Sequence, residues 1–253
     1  MSDHPSDHKH IVIIGATSGI AGQCARRWAN TASRITLVAR NRQALDEIAA
    51  DLIVRNPALH IDCVEGEFMQ PEGIRAMTDS IIASAPVDIV LIAHGNLPDQ
   101  SLCQQDLSAC ADAIRVNALS PALIAEAFAA HMASTGRGTI AVIGSVAGDR
   151  GRKSNYVYGA AKGLVTRYCQ GLQHRFAGTG VRVVLIKPGP TDTAMTAHLK
   201  QQGARLASAD EVADCIVDGI ERGKPVIYAP GKWALIMMII RHLPRFVFNR
   251  MDI

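Results

Sequence analysis

The stretch Ile11-Val12-Ile13-Ile14-Gly15-Ala16-Thr17-Ser18-Gly19-Ile20-Ala21-Gly22 is a short β-branched apolar run that breaks into a glycine-rich turn and then opens a helix. Glycines there let the backbone turn tightly and approach a phosphate, which free amide groups and the helix dipole can hold. Such turns also join strands to helices with no ligand, so the rest of the chain must speak. Apolar runs at 35–38, 61–64, 87–93, 139–143, 181–186 and 226–228 read as further strands. Continuous rather than alternating apolarity suits strands buried on both faces. Between them, 43–54, 71–85, 106–132, 155–176 and 209–222 read as amphipathic helices. Seven strands with crossover helices predict an α/β fold, a doubly wound parallel sheet with helices on both faces and its ligand site at the carboxyl ends of the strands.

With 253 residues, 48% of them hydrophobic, the chain suits one α/β domain better than two. That domain is expected over 10–230, after a disordered polar tail at 1–9 and before an apolar and basic extension at 231–253. His4, His8 and His10 read as tail residues rather than metal ligands, and no metal site is expected. The net charge of +3 comes from scattered basic and acidic residues, which argues against nucleic acid. The six cysteines form no Cys-x-x-Cys pair and the N-terminus has no apolar signal region, so a cytoplasmic location is expected.

Tyr158-Gly159-Ala160-Ala161-Lys162 places a phenol and an ammonium on one helix face. A fixed positive charge about 4 Å away is worth roughly 4 kcal/mol at an effective dielectric of about 20, or about three pKa units, enough to bring a phenol toward neutral pH. Ser145, upstream at the end of an apolar run, could hold a substrate oxygen beside it. The trio reads as a device for moving one proton at a C–O centre. Taken alone, Tyr158 is equally a half-buried aromatic and Lys162 a solvated charge.

Together these motifs resemble the short-chain dehydrogenase/reductase family, whose single-domain branch has the Rossmann fold. Its glycine motif is matched by Gly15 and Gly19, with Ala21 in the third place. Its Asn-Asn-Ala-Gly segment reads Ile92-Ala93-His94-Gly95 here, so both asparagines, and the polar stitching they usually provide, are missing. Asn117 matches the family's mid-helix asparagine, and Pro188-Gly189-Pro190-Thr191-Asp192-Thr193 its Pro-Gly loop. The resemblance implies that Tyr158 transfers the proton, Ser145 fixes the oxygen, Lys162 lowers the tyrosine pKa and holds the nicotinamide ribose, and Asn117 completes a proton relay. The implied cofactor contacts are Gly15, Thr17, Ser18, Gly19, Ile20, Arg40, Glu67, Ala93, Gly95, Pro188, Gly189, Thr191 and Thr193, with Tyr158 and Lys162. Strand 2 ends Leu37-Val38-Ala39-Arg40-Asn41-Arg42 with no acid to grip a ribose diol, which predicts NADP(H) over NAD(H). Arg40 and Arg42 as plain solvated charges is the competing reading. Glu67 stands where relatives carry an adenine-contacting aspartate.

The implied activity is hydride transfer between NADP(H) and a carbonyl or secondary alcohol. A non-catalytic redox sensor, or the reductase half of a two-enzyme epimerase, are the alternatives. Relatives pair through the helices expected at 106–132 and 155–176, so a homodimer or homotetramer is expected. The substrate loop falls at 193–208, with Met195, His198 and Leu199 as candidate contacts, and His94 either faces the pocket or packs. The uncharged run 234–240 is far too short to span a bilayer. With Trp233, the phenylalanines and interleaved arginines, 233–250 suits a peripheral membrane contact on the inner face, or a roof over a greasy pocket. It resembles tails of family members acting on lipid-linked keto sugars, which adds a hydrophobic or lipid-linked substrate to the expectation. A helix docked on its own core or on a second subunit is the plainer alternative.

Overall fold

The computed structural model describes residues 9–251. The expected tail, with His4 and His8, lies outside them except for Lys9. Strands β1 (Lys9–Ile14), β2 (Ala32–Ala39), β3 (His60–Glu65), β4 (Ile89–Ile92), β5 (Arg137–Ile143), β6 (Gly180–Pro188) and β9 (Val226–Ala229) form one seven-stranded sheet in the order β3-β2-β1-β4-β5-β6-β9. Every pairing is parallel. A separate ribbon pairs β7 (Thr191–Asp192) with β8 (Ala207–Ser208). The strand order reverses between β1 and β4, which opens a crevice at their carboxyl ends.

The apolar runs are continuous because both faces of the sheet are covered. Ile11 and Ile13 of β1 point into one core with Trp28, Leu45 and Ile216, while Val12 and Ile14 point into the other with Ile74, Phe128 and Val165. Helices α1 (Gly19–Trp28), α2 (Arg42–Arg55) and α9 (Ala209–Glu221) supply the first, and α3 (Pro71–Ser84), α6 (Ser120–Thr135) and α7 (Tyr156–Arg175) the second. In α1 the buried side chains are Ala21, Cys24, Ala25 and Trp28, the three- and four-residue spacing of one helical face.

Two expectations are corrected. His10 is not a tail residue: it is buried in β1, with Nε2 2.8 Å from Thr36 Oγ1 and Nδ1 3.0 Å from Pro86 O. The helix expected at 106–132 is broken into α5 (Leu107–Ile114), a π turn (Arg115–Leu119) and α6, preceded by the short α4 (Gln100–Gln105). Asn117 explains the break, because its side-chain Nδ2 donates to Ala113 O at 3.0 Å, four residues back. The Ser120 amide then reaches Arg115 O instead, one residue further than in an α-helix. The span Leu107–Thr135 is long and apolar enough to cross a membrane by length and composition alone. Ile124, Phe128 and Met132 are nevertheless fully buried in the protein core.

A buried ion pair joins the sheet to the 3-10 turn Val146–Asp149 that follows Ser145. Lys187 of β6 contacts Asp149, and Tyr228 Oη of β9 donates to the same carboxylate at 2.8 Å. The two charged side chains are only 5% and 2% exposed. Removing one partner strands the other charge in the core. Lys187→Met is therefore expected to lower the unfolding free energy by about 3–5 kcal/mol in urea denaturation. Arg42→Met, which breaks the exposed pair with Asp46, is expected to cost under about 1 kcal/mol. Equal small losses would show that the buried pair does not anchor this turn.

Candidate active site

The glycine turn sits at the crevice. Gly15 has φ 81°, and a Cβ there would fall 2.6 Å from the backbone nitrogen of His94 at the end of β4. Glycine therefore permits both the turn and the closeness of the β1 and β4 ends. The Gly15 and Ala16 amides donate to Val38 O at 2.8 and 3.0 Å, which folds the turn over β2. Ser18 caps α1, its Oγ accepting from the Ala21 amide. The first-turn amides of α1 point into the crevice region with the positive end of the helix dipole.

Across the crevice, α7 packs tightly on the turn that follows Ser145. A Cβ on Gly148 would lie 2.7 Å from the Lys162 carbonyl carbon, so glycine is what allows α7 to come this close. That packing buries Lys162 and half-buries Tyr158 on the cavity wall with Ser145. Ser145 Oγ accepts from the Ala147 amide at 3.1 Å, and Ser145 and Tyr158 line the same cavity. Lys162 Nζ donates to Ile143 O at 3.0 Å and lies 5.8 Å from the Tyr158 ring centroid.

Desolvation dominates the electrostatics of the site. Burial pushes the Tyr158 phenol up to about 12, against the downward pull of Ser145, and the Lys162 charge does not offset it. Desolvation instead brings Lys162 down to about 8, and no carboxylate bears on it. As pH rises through 8 the ammonium loses its proton while the phenol keeps its own. At neutral pH the phenol is a proton donor.

The missing asparagines of β4 are replaced by other groups. Asn117 Oδ1 accepts from the Asn96 amide at 3.0 Å, and its Nδ2 donates to Asn96 Oδ1 at 2.7 Å. His94 Nε2 lies 2.8 Å from Ser120 Oγ, its ring tilted against Phe68 at 5.0 Å. Burial and the nearby Lys162 and Arg40 charges lower the His94 pKa to about 3, so the imidazole is neutral. The expected loss of polar stitching is thus corrected: it runs from β4 to the π turn through Asn96 and His94.

One cavity of about 670 Å³ is lined by all seventeen residues singled out from the sequence, from Gly15, Thr17, Ser18, Gly19, Ile20 and Arg40 to Asn117, Ser145, Tyr158 and Lys162. Glu67, Ala93, Gly95, Pro188, Gly189, Thr191 and Thr193 complete that set. Its size, the glycine turn at a helix N-terminus and the absence of an acid at the end of β2 fit a dinucleotide. Glu67 lines the cavity with its Oε1 accepting from the Met69 and Gln70 amides at 2.5 and 3.2 Å, just ahead of α3. Arg42 pairs with Asp46 and does not line the cavity. Met195 and Leu199 line it as expected, whereas the His198 side chain lies outside the described residues. Sequence reasoning missed Phe68, Asn96, Arg152 and Asn155; only a polar cluster around 152–155 could have signalled the last two.

The C-terminal extension docks on this site from outside. Helix α10 (Lys232–His242) sets the Trp233 indole against Gly189, where any Cβ would collide with it. Arg150 Nη1 donates to Ile240 O and Leu243 O at 2.5 and 2.7 Å, its guanidinium 3.8 Å over the Phe248 ring of α11 (Arg245–Phe248). The inner face of the extension is thus held by its own core.

A short chain dehydrogenase family model matches residues 9–204. An uncharacterized oxidoreductase of Streptomyces coelicolor is 32% identical over 251 residues, covering 96% of each chain. Among solved structures, a short-chain dehydrogenase from Sphingobium yanoikuyae in complex with NADPH superposes with TM-score 0.81 at 24% identity, over 94% of this chain and 97% of its own. One from Burkholderia phymatum in complex with NAD does so with TM-score 0.81 at 20% identity, over 99% of both chains. The extent of the family match, and a relative alike from end to end, make this chain a member of the short-chain dehydrogenase family and a nicotinamide-dependent oxidoreductase acting between alcohol and carbonyl.

Proposed function

We propose that the protein reduces a carbonyl compound with NADPH, Tyr158 donating the proton and Ser145 holding the carbonyl oxygen. The observation that carries this reading is the half-buried, neutral phenol that shares with Ser145 the wall of a dinucleotide-sized cavity. The bound cofactor supplies the hydride, and the chain supplies orientation and the proton. Lys162 is placed to hold the nicotinamide ribose and to keep positive charge behind the phenol. Asn117, joined to Asn96 and next to the same backbone glycine as Lys162 Nζ, suits a proton relay. Reduction is favoured over alcohol oxidation, since only the former needs a protonated tyrosine at the start. A non-catalytic sensor would have no use for a desolvated phenol and ammonium held together at this cost.

Arg40 at the end of β2 supports NADP(H) over NAD(H), as a guanidinium there favours a 2′-phosphate. The exposed Leu119 and Leu164 on the helices after β4 and β5 support pairing of subunits through those faces, as a homodimer or homotetramer. The outer face of α10 is also apolar: Leu235 is 60% and Ile239 55% exposed, and Met238 lies between them. Arg241, Arg245 and Arg250 flank that face, with no carboxylate within ion-pair distance among the described residues. Apolar surface ringed by positive charge supports peripheral docking on an anionic bilayer, and with Met195 and Leu199 in the cavity it supports a hydrophobic or lipid-linked carbonyl substrate.

Three outcomes are expected. Tyr158→Phe should lower kcat for carbonyl reduction by at least about 100-fold while NADPH affinity changes little; retained turnover would remove the assignment. Wild-type kcat/KM should favour NADPH over NADH by about 10- to 100-fold, and Arg40→Ala should erase most of that ratio; equal use of both cofactors would refute the Arg40 role. Flotation with phosphatidylserine vesicles should carry the full chain upward, and Leu235→Asp with Ile239→Asp should abolish it. A loss of subunit association in that double variant, with no vesicle binding by the wild type, would instead assign the face to a second copy.

A further inference from the structure

Arg152 lies on the loop between Ser145 and Tyr158 and lines the same cavity. Its Nε is buried and has no hydrogen-bond partner among the described residues. Its Nη2 reaches only Met237 Sδ of α10, at 4.0 Å, a weak acceptor. Other partly buried arginines are satisfied: Arg27 pairs with Asp210 and Asp214, Arg34 with Asp62, and Arg150 with the carbonyls ending α10. Burial disfavours the Arg152 charge, and the one acid that favours it is Asp149. That carboxylate is already held by Lys187 and Tyr228. Beside Arg152 on the cavity wall, Asn155 Oδ1 is a second buried polar atom with no partner.

A guanidinium desolvated on a cavity wall, with an unused N–H and no free carboxylate, is a receptor for an oxyanion, since its planar fork matches carboxylate and phosphate oxygens. We infer that Arg152 anchors an anionic group, a carboxylate or a phosphate, on the carbonyl compound reduced beside Ser145 and Tyr158. Asn155 Oδ1 accepts a hydroxyl or amide hydrogen next to that anion. This rests on the oxidoreductase reading and narrows its substrate to carbonyl compounds that carry negative charge.

The test compares carbonyl substrates supplied as free acid or phosphate ester with their neutral methyl esters, in the wild type, Arg152→Lys and Arg152→Met. Wild-type kcat/KM should favour the anion by about 10- to 100-fold, the worth of one charge-assisted hydrogen-bonded contact. Arg152→Met should erase that preference, losing far more for the anion than for the ester, and Arg152→Lys should restore part of it. A second arm needs no turnover: the Nε–H resonance of Arg152, assigned by its absence in Arg152→Met, should shift on titration with inorganic phosphate or with acetate. The stronger of the two identifies the class of anion. Equal losses for anion and ester, or a resonance unmoved by either anion, overturns the inference. Wild-type turnover in the same assay separates the two levels: if no carbonyl compound is reduced with NADPH the oxidoreductase reading fails, and if they are reduced while Arg152→Met keeps the wild-type preference for the anion, only the anion site fails.

Discussion

A lysine ammonium buried without a carboxylate partner is the constraint around which this molecule is arranged. Lys162 is 3% exposed, and among the described residues it donates to one backbone carbonyl, Ile143 O. Such a group is costly to fold around and is easily satisfied by a ligand that brings acceptor oxygens. The same desolvation that weakens Lys162 as a cation keeps the Tyr158 phenol protonated. Proton donor and ligand-binding cation are thus products of one act of packing, α7 against the turn after Ser145.

What holds that packing is polar as well as apolar. The Lys187–Asp149–Tyr228 cluster ties the Ser145 turn to β6 and β9, and Arg150, next in the chain, ties it to the C-terminal helices. On the other side, Asn117 on the π turn and Ser120 at the start of α6 are joined to Asn96 and His94 on the loop after β4. The cavity therefore lies between two braced loops rather than between free ones. Trp233 against Gly189 braces a third.

Much of this was legible in the chain because it is local. Seven apolar runs read as strands and all seven are there, since a strand buried on both faces leaves a continuous signature. The glycine turn, Ser145, Tyr158 and Lys162 could be placed in one cavity because a doubly wound sheet brings those strand ends together. The misses share a different cause. His10 looks like a tail residue until its imidazole is seen to bond Thr36 across strands, and Asn117 looks helical until its side chain takes the Ala113 carbonyl. For the phenol, spacing shows a charge nearby but not how dry the site is. Arg152 was silent for the same reason: whether an arginine has a partner is a property of the fold.

The central claim, that burial rather than a partner charge sets the protonation of this site, is tested most directly on Lys162 itself. Its Cε resonance, assigned by comparison with Lys162→Met, can be followed by carbon NMR across alkaline pH in the ligand-free protein. The account predicts a midpoint at about 8. A midpoint at the ordinary lysine value of about 10.4 would show a solvated or paired ammonium, and would contradict it.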